Sequence, residues 1–174
     1  MSVTSTCFCG AVQLAYSIDG DNLIGGGSFI CHCTDDRKIT SSMFATNFII
    51  KDDTLHYTRG RPLITRYSTS APIASGNTMT NHFCSVCGSL MYRVSSGFPG
   101  KTILRLGQVD DFALHEGRLK PSVEQFVKDR VGWLGEVGRE GWEGLGVFEG
   151  GFYGRKREGW VGEGEGEGEG KGGK

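Results

Sequence analysis

The sequence predicts a mainly antiparallel β domain, and three observations carry that reading. Short runs with bulky apolar or β-branched residues at alternate positions recur through the first 130 residues. Clusters of Gly, Pro and Asn separate those runs. No window of a dozen residues keeps a helical period, so helices should be short.

The runs follow in order. Residues 12–18 set Val12, Leu14, Tyr16 and Ile18 at every second position, and Asp19-Gly20-Asp21-Asn22 then turns the chain. Residues 43–50 are an eight-residue apolar and β-favouring run that stops at Lys51-Asp52-Asp53. Residues 54–59, 63–68, 78–83, 89–94 and 102–106 repeat the pattern. Gly60-Arg61-Pro62, Ser75-Gly76-Asn77 and Ser96-Gly97-Phe98-Pro99-Gly100 punctuate them. Residues 123–128, after Pro121, read as a last strand.

The end of the chain has a different composition. Of 29 glycines in 174 residues, 12 fall in residues 1–130 and 17 in residues 131–174. From about Gly138 the apolar residues, Trp142, Leu145, Val147, Phe148, Phe152, Tyr153 and Trp160, follow no period. Glu163, Glu165, Glu167 and Glu169 then alternate with glycines. Such a segment buries too little surface to offset its chain entropy. Residues 1–137 are therefore expected to form the domain, and residues 138–174 a disordered Gly/Glu-rich tail.

Charge and apolar content narrow the function classes. Residues 1–130 carry 13 basic and 11 acidic groups, and residues 131–174 carry 6 and 9. Neither balance is the clustered basic footprint of a nucleic-acid binder. No run approaches the roughly 18 apolar residues of a membrane span, so no membrane partner is expected. The first residues lack the basic and apolar regions of a secretory signal, which points to a cytoplasmic setting where thiols stay reduced. All six cysteines lie between positions 7 and 87. Paired cysteines in that setting read first as metal ligands or redox groups.

Three pairs stand out. Cys84-Ser85-Val86-Cys87-Gly88 lets both sulfurs reach one ion, with Gly88 permitting the tight backbone that follows. In Cys7-Phe8-Cys9-Gly10 the two cysteines share one side of an extended segment. A disulfide between them would be strained, which favours metal over redox use. Together Cys7, Cys9, Cys84 and Cys87 make a complete set for a structural tetrahedral zinc. The third pair lies in Cys31-His32-Cys33-Thr34-Asp35-Asp36-Arg37, where Asp36 is the best-placed third ligand. Three protein ligands leave a position for water or substrate, which is the catalytic arrangement. His32 should point to the opposite side from its neighbours and serve packing or hydrogen bonding, and His82 reads as a strand residue. Asp110-Asp111 reads as a turn.

The order C-x-C-G, C-H-C-x-x-x-R and H-F-C-x-x-C-G-x-L-x-Y-R resembles the glutathione-dependent formaldehyde-activating enzyme family, also called the centromere protein V/GFA domain. The resemblance covers roughly residues 3–134, from Cys7-Phe8-Cys9-Gly10 through Leu106-Gly107-Gln108-Val109-Asp110-Asp111 to Trp133. It implies an Mss4-like β-tent fold of small antiparallel sheets, with a structural zinc on Cys7, Cys9, Cys84 and Cys87. It also implies a second, catalytic zinc on Cys31, Cys33 and a third cysteine, whose position Asp36 takes here. The implied chemistry is that of a carbon–sulfur lyase working on a small-molecule thiol, glutathione or its adduct S-hydroxymethylglutathione. Cys31, Cys33 and Asp36 are the expected catalytic group. Arg37, Lys38, Arg59, Arg61 and Arg66 are candidates for holding substrate carboxylates. The alternative reading is a zinc-stabilised binding module whose second metal site is degenerate.

Overall fold

The structure, a computed structural model, describes residues 1–73, 75–135 and 146–151. Strands β1 (Ser2–Thr6), β2 (Gln13–Ser17), β3 (Leu23–Cys31), β4 (Ala45–Lys51), β5 (His56–Arg59) and β6 (Ile64–Thr69) fill the first half. Strands β7 (Met79–Cys84), β8 (Leu90–Ser95), β9 (Lys101–Arg105), β10 (Pro121–Gln125) and β11 (Gly146–Val147) follow. The α-helices are short, as expected: α1 (Thr34–Thr40) and α2 (Ala113–Glu116). The mainly β fold read from the alternating runs is present.

The strands form two sheets. One has three strands in the order β1-β2-β5, and the other has eight in the order β11-β10-β3-β4-β9-β8-β7-β6. Pairing is antiparallel except for β10, which runs parallel to both β3 and β11. The core lies between the sheets. Leu14 and Tyr16 from the small sheet meet Phe48, Ile50, Met91 and Leu104 from the large one, all essentially closed to solvent. The alternation of residues 12–18 supplies that inward face. Gly60, just after β5, passes close to the segment that leads into β2: at φ 75°, a Cβ there would collide with the Ala11 carbonyl oxygen.

Alternation also fixes what the large sheet shows on its other face. Arg93 on β8 opposes Asn81 on β7 and Ile103 on β9, while Arg105 on β9 opposes Asn47 on β4. These side chains point away from the core and towards α1. Tyr92, His82 and Arg66 form the neighbouring register row and face the opposite way.

Two expectations about the C-terminal part change. The last strand ends at Gln125 rather than running to position 128, because Phe126 takes a left-handed conformation at φ 56°, ψ 41° and turns the chain. Gly146–Val147 falls in the stretch expected to lie outside the fold, yet it pairs with β10 and buries Val147. The unpaired edge of β10 supplies a hydrogen-bonding template that needs no periodic sequence. The remainder of the expected tail, residues 138–145 and 152–174, lies outside the described residues.

Candidate metal centres

Four sulfurs meet where the two sheets meet. Cys7 follows β1, and Cys84 closes β7. Each opens a tight turn: the Gly10 N–H donates to the Cys7 carbonyl at 2.9 Å, and the Gly88 N–H to the Cys84 carbonyl at 2.8 Å. Gly10 at φ 79° and Gly88 at φ 75° make those turns available. Cys7 Sγ lies 3.5 Å from Cys9 Sγ, and Cys9 Sγ lies 3.9 Å from Cys84 Sγ. With Cys87, all four ligand atoms fall within 4.8 Å of one another. A tetrahedral zinc with bonds of about 2.3 Å asks for sulfur–sulfur edges of about 3.8 Å. The set therefore fits the ion. Backbone donors support the charge it would bring: the Val12 N–H reaches Cys7 Sγ at 3.2 Å. Ser89, through its side chain and backbone, draws the Cys87 thiol down to about 5.

The second cluster forms where β3 runs into α1. Cys31 is the last residue of β3, and Cys33 caps α1, its Sγ accepting the Asp36 N–H at 3.4 Å. One helical turn then aims Asp36 back at the large sheet. The ligand atoms of Cys31, Cys33 and Asp36 lie within 4.8 Å of one another. Cys31 and Asp36 are buried and Cys33 is partly exposed, so the cluster opens to solvent on the Cys33 side. A thiol–thiol hydrogen bond divides the pair, lowering Cys33 and raising Cys31.

Asp36 has strong partners already. Arg93 Nη1 donates to its Oδ1 at 2.5 Å and Arg105 Nη2 to the same oxygen at 3.1 Å. Asn47 Nδ2 donates to Oδ2 at 2.9 Å, and Asn47 in turn accepts from Arg105. Burial alone would raise the Asp36 carboxyl, but Arg105 and Arg93 outweigh it and hold the group below the usual range. The Cys31 thiol also hydrogen-bonds this carboxylate, so the thiol and the carboxylate already face each other as ligands of one ion would. Exchanging two thiol protons for one divalent ion leaves the cluster's net charge unchanged. The donor set of two thiolates and a carboxylate therefore also fits zinc. Arg93, Arg105 and Asn47 were not singled out from the sequence, although Arg93 is the last residue of the H-F-C-x-x-C-G-x-L-x-Y-R motif.

The segment between the two thiols is anchored from β10. His32 Nε2 lies 2.6 Å from Glu124 Oε1, both buried, and Arg130 Nη1 bonds the same carboxylate oxygen at 3.0 Å. His32 thus stands among hydrogen-bonding partners rather than in either cysteine cluster. His82 stacks on Tyr92 with centroids 4.1 Å apart. Burial, then the charge of Arg66, push it down to about 4.

The structure does not gather the candidate cations around the second cluster. Arg66 belongs to the core-facing row of the large sheet, opposite the face that carries Asp36's partners. Arg59 donates to the Gly10 carbonyl at 2.8 Å, and Arg61 sits over the Tyr57 ring. Arg37 does adjoin the cluster, but its Nη1 is spent on the Asp129 carbonyl at 3.0 Å. Lys38 is exposed on α1. Asp110 does more than turn the chain: Thr4, Thr6 and Gln13 all donate to its Oδ2, tying it to β1 and β2.

The family model of the glutathione-dependent formaldehyde-activating enzyme matches residues 2–129. The chain belongs to that family. Members are in general enzymes, and the family is associated with zinc and with glutathione chemistry. A crystal structure of a Rhodobacter sphaeroides protein is similar to this family member at a TM-score of 0.50 and 18% identity, covering 67% of this chain and 96% of that one. That likeness concerns the fold. No curated protein sequence matches the chain. No helix among the described residues is long and apolar enough to cross a membrane.

Proposed function

We propose that the chain is a zinc-dependent carbon–sulfur lyase acting on a glutathione adduct such as S-hydroxymethylglutathione. The observation that carries this reading is the second cluster: Cys31, Cys33 and Asp36 converge on one point, and their partly exposed side leaves a fourth position. Cys7, Cys9, Cys84 and Cys87 would hold a structural ion, and Cys31, Cys33 and Asp36 a second one. Bound there, zinc supplies the Lewis acidity that keeps a thiol sulfur as thiolate near neutral pH. The chain's own residues prepare the place. Arg93, Arg105 and Asn47 keep Asp36 ionised and fix its direction. His32 and Glu124 hold the backbone between the two thiols.

A second reading, a zinc-stabilised binding module with a degenerate second site, draws on the same carboxylate. Two guanidiniums on Oδ1 withdraw electron density and weaken Asp36 as a donor. Zinc content separates the readings. The lyase predicts two ions per chain in the wild type and one in Cys31→Ser, with cleavage of the adduct to formaldehyde and free glutathione lost in the variant. One ion in the wild type, with no such activity, favours the binding module.

A further inference from the structure

Residues 146–151 lie beyond the family match, which ends at residue 129, yet they complete the large sheet beside the second cluster. β11 pairs with Val123 and Glu124 of β10. The Phe148 N–H donates to the Glu124 carbonyl at 2.9 Å, the Val127 N–H to the Phe148 carbonyl at 3.2 Å, and the Phe126 N–H to the Gly150 carbonyl at 2.9 Å. The last two bonds fall on the turn at Phe126, whose positive φ is rare for a residue with a side chain. Gly151 lies beside that ring, where a Cβ would be in van der Waals contact with Phe126 Cζ.

From Phe126 the contacts lead straight to the cluster. Its ring packs against the cluster of Phe29, Cys31 and Ile49 on the outer face of the sheet, and Cys33 packs against the same cluster. The turn it starts, Val127–Asp129, presents the carbonyl that Arg37 binds, and Arg37 follows Asp36 on α1. The other edge of β10 holds β3: Gln125 opposes Cys31, and its carbonyl accepts the His32 N–H at 3.1 Å.

We propose that residues 146–151 are a strap that positions the second site. By holding Phe126 in its left-handed turn they fix the Asp129 carbonyl, and through Arg37 the first turn of α1 that presents Cys33 and Asp36. Val147, Phe148 and Gly150 are then positioning residues, none of which touches a donor atom of the cluster. The strap itself stands on backbone geometry, and only its effect on a bound ion rests on the proposed function. The competing account is a plain edge cap, which shields β10 from other strands and leaves the cluster unmoved.

The test uses Val147→Asp in the full chain, with Val147→Ala as the milder variant should Asp unfold it. Val109→Ala, in the core and outside the strap, serves as a control for general destabilisation. Amide exchange at Phe126 and Val127 and chelator-competed zinc affinity are read on each protein. The strap predicts that exchange rises at least tenfold and the second ion is bound at least tenfold more weakly in the Val147 variants. The Cys7/Cys9/Cys84/Cys87 ion should be unchanged, and Val109→Ala should move neither quantity. Faster exchange with an unaltered second ion would establish the edge cap and overturn the strap. Unprotected Phe126 and Val127 amides in the wild type would overturn it as well. If the wild type takes up one zinc only, the lyase reading fails and the strap is read from the alkylation rate of Cys33. A faster rate in the Val147 variants supports it, and an unchanged rate overturns it.

Discussion

Replacing Asp36 by Ala removes the carboxylate that two buried guanidiniums share. The Asp36 side chain is 5% exposed, Arg93 6% and Arg105 8%, so water does little to solvate the charges left behind. Removing one partner of a buried pair typically costs about 3–5 kcal/mol. Here two like charges stay facing one emptied position, so the upper part of that range applies, about 4–5 kcal/mol. At roughly 2–4 °C per kcal/mol for a domain of this size, the midpoint should fall by roughly 8–20 °C. Urea unfolding at pH 7, with one zinc per chain so that the four-cysteine site stays loaded, measures the loss as a shift in midpoint at unchanged slope. Adding Arg93→Met to Asp36→Ala should recover part of it, giving a coupling of about 2 kcal/mol in a double-mutant cycle. A loss below about 1 kcal/mol, or no coupling to Arg93, would refute the counter-ion argument.

Three further outcomes follow from the geometry. Cys84→Ser should lose the ion of the four-cysteine set and with it the folded state, seen as zinc content and far-ultraviolet circular dichroism; a folded, zinc-free variant contradicts this. Gly60→Ala should destabilise by about 1–3 kcal/mol or more from its positive φ and its clash with Ala11, whereas Gly10→Ala, at φ 79° with open space around it, should cost less; equal thermal shifts count against the close approach. For Glu124, burial raises the carboxyl, but the hydrogen bond from His32 and the charge of Arg130 lower it on balance. A depressed folded pKa gives stability that is present above the unfolded value of about 4.3 and lost as pH falls through the folded value. The stability gap between wild type and Glu124→Gln should therefore be full at pH 7 and shrink below about pH 4. A gap that stays constant through that range argues against the linkage.

How much was legible in the sequence depended on the range of the interaction. Residues 12–18 and 43–50 revealed their strands because the inward side chains alternate, or fill, a local run. β3 was missed, since Gly25-Gly26-Gly27 interrupts its pattern, and the strand is held by partners on β4 and β10 instead. The two cysteine sets were readable because ligand spacing is a short-range geometric demand. What surrounds them was not: Arg93 and Arg105 reach Asp36 across 57 and 69 residues. Nothing near Asp36 in the chain announces two cations. β11 escaped for a related reason. Gly146–Val147 is defined by the exposed edge it joins and not by any pattern of its own.

The four-cysteine set has a consequence for how the chain reaches its fold. Cys9 and Cys84 are 75 residues apart, and an ion held between them closes that whole length into one loop. By the estimate used for covalent cross-links, a closure of this size removes about 4–5 kcal/mol of entropy from the unfolded ensemble. It also pins the three-stranded layer to the turn after β7 before most of the intervening pairings need to exist. The β10–β3 and β10–β11 pairings receive no such help, because they join segments that lie outside the closed loop or straddle its end. Metal capture should therefore speed the assembly of the first 95 or so residues more than that of the C-terminal edge, leaving the wall of the second cluster as the last part to form.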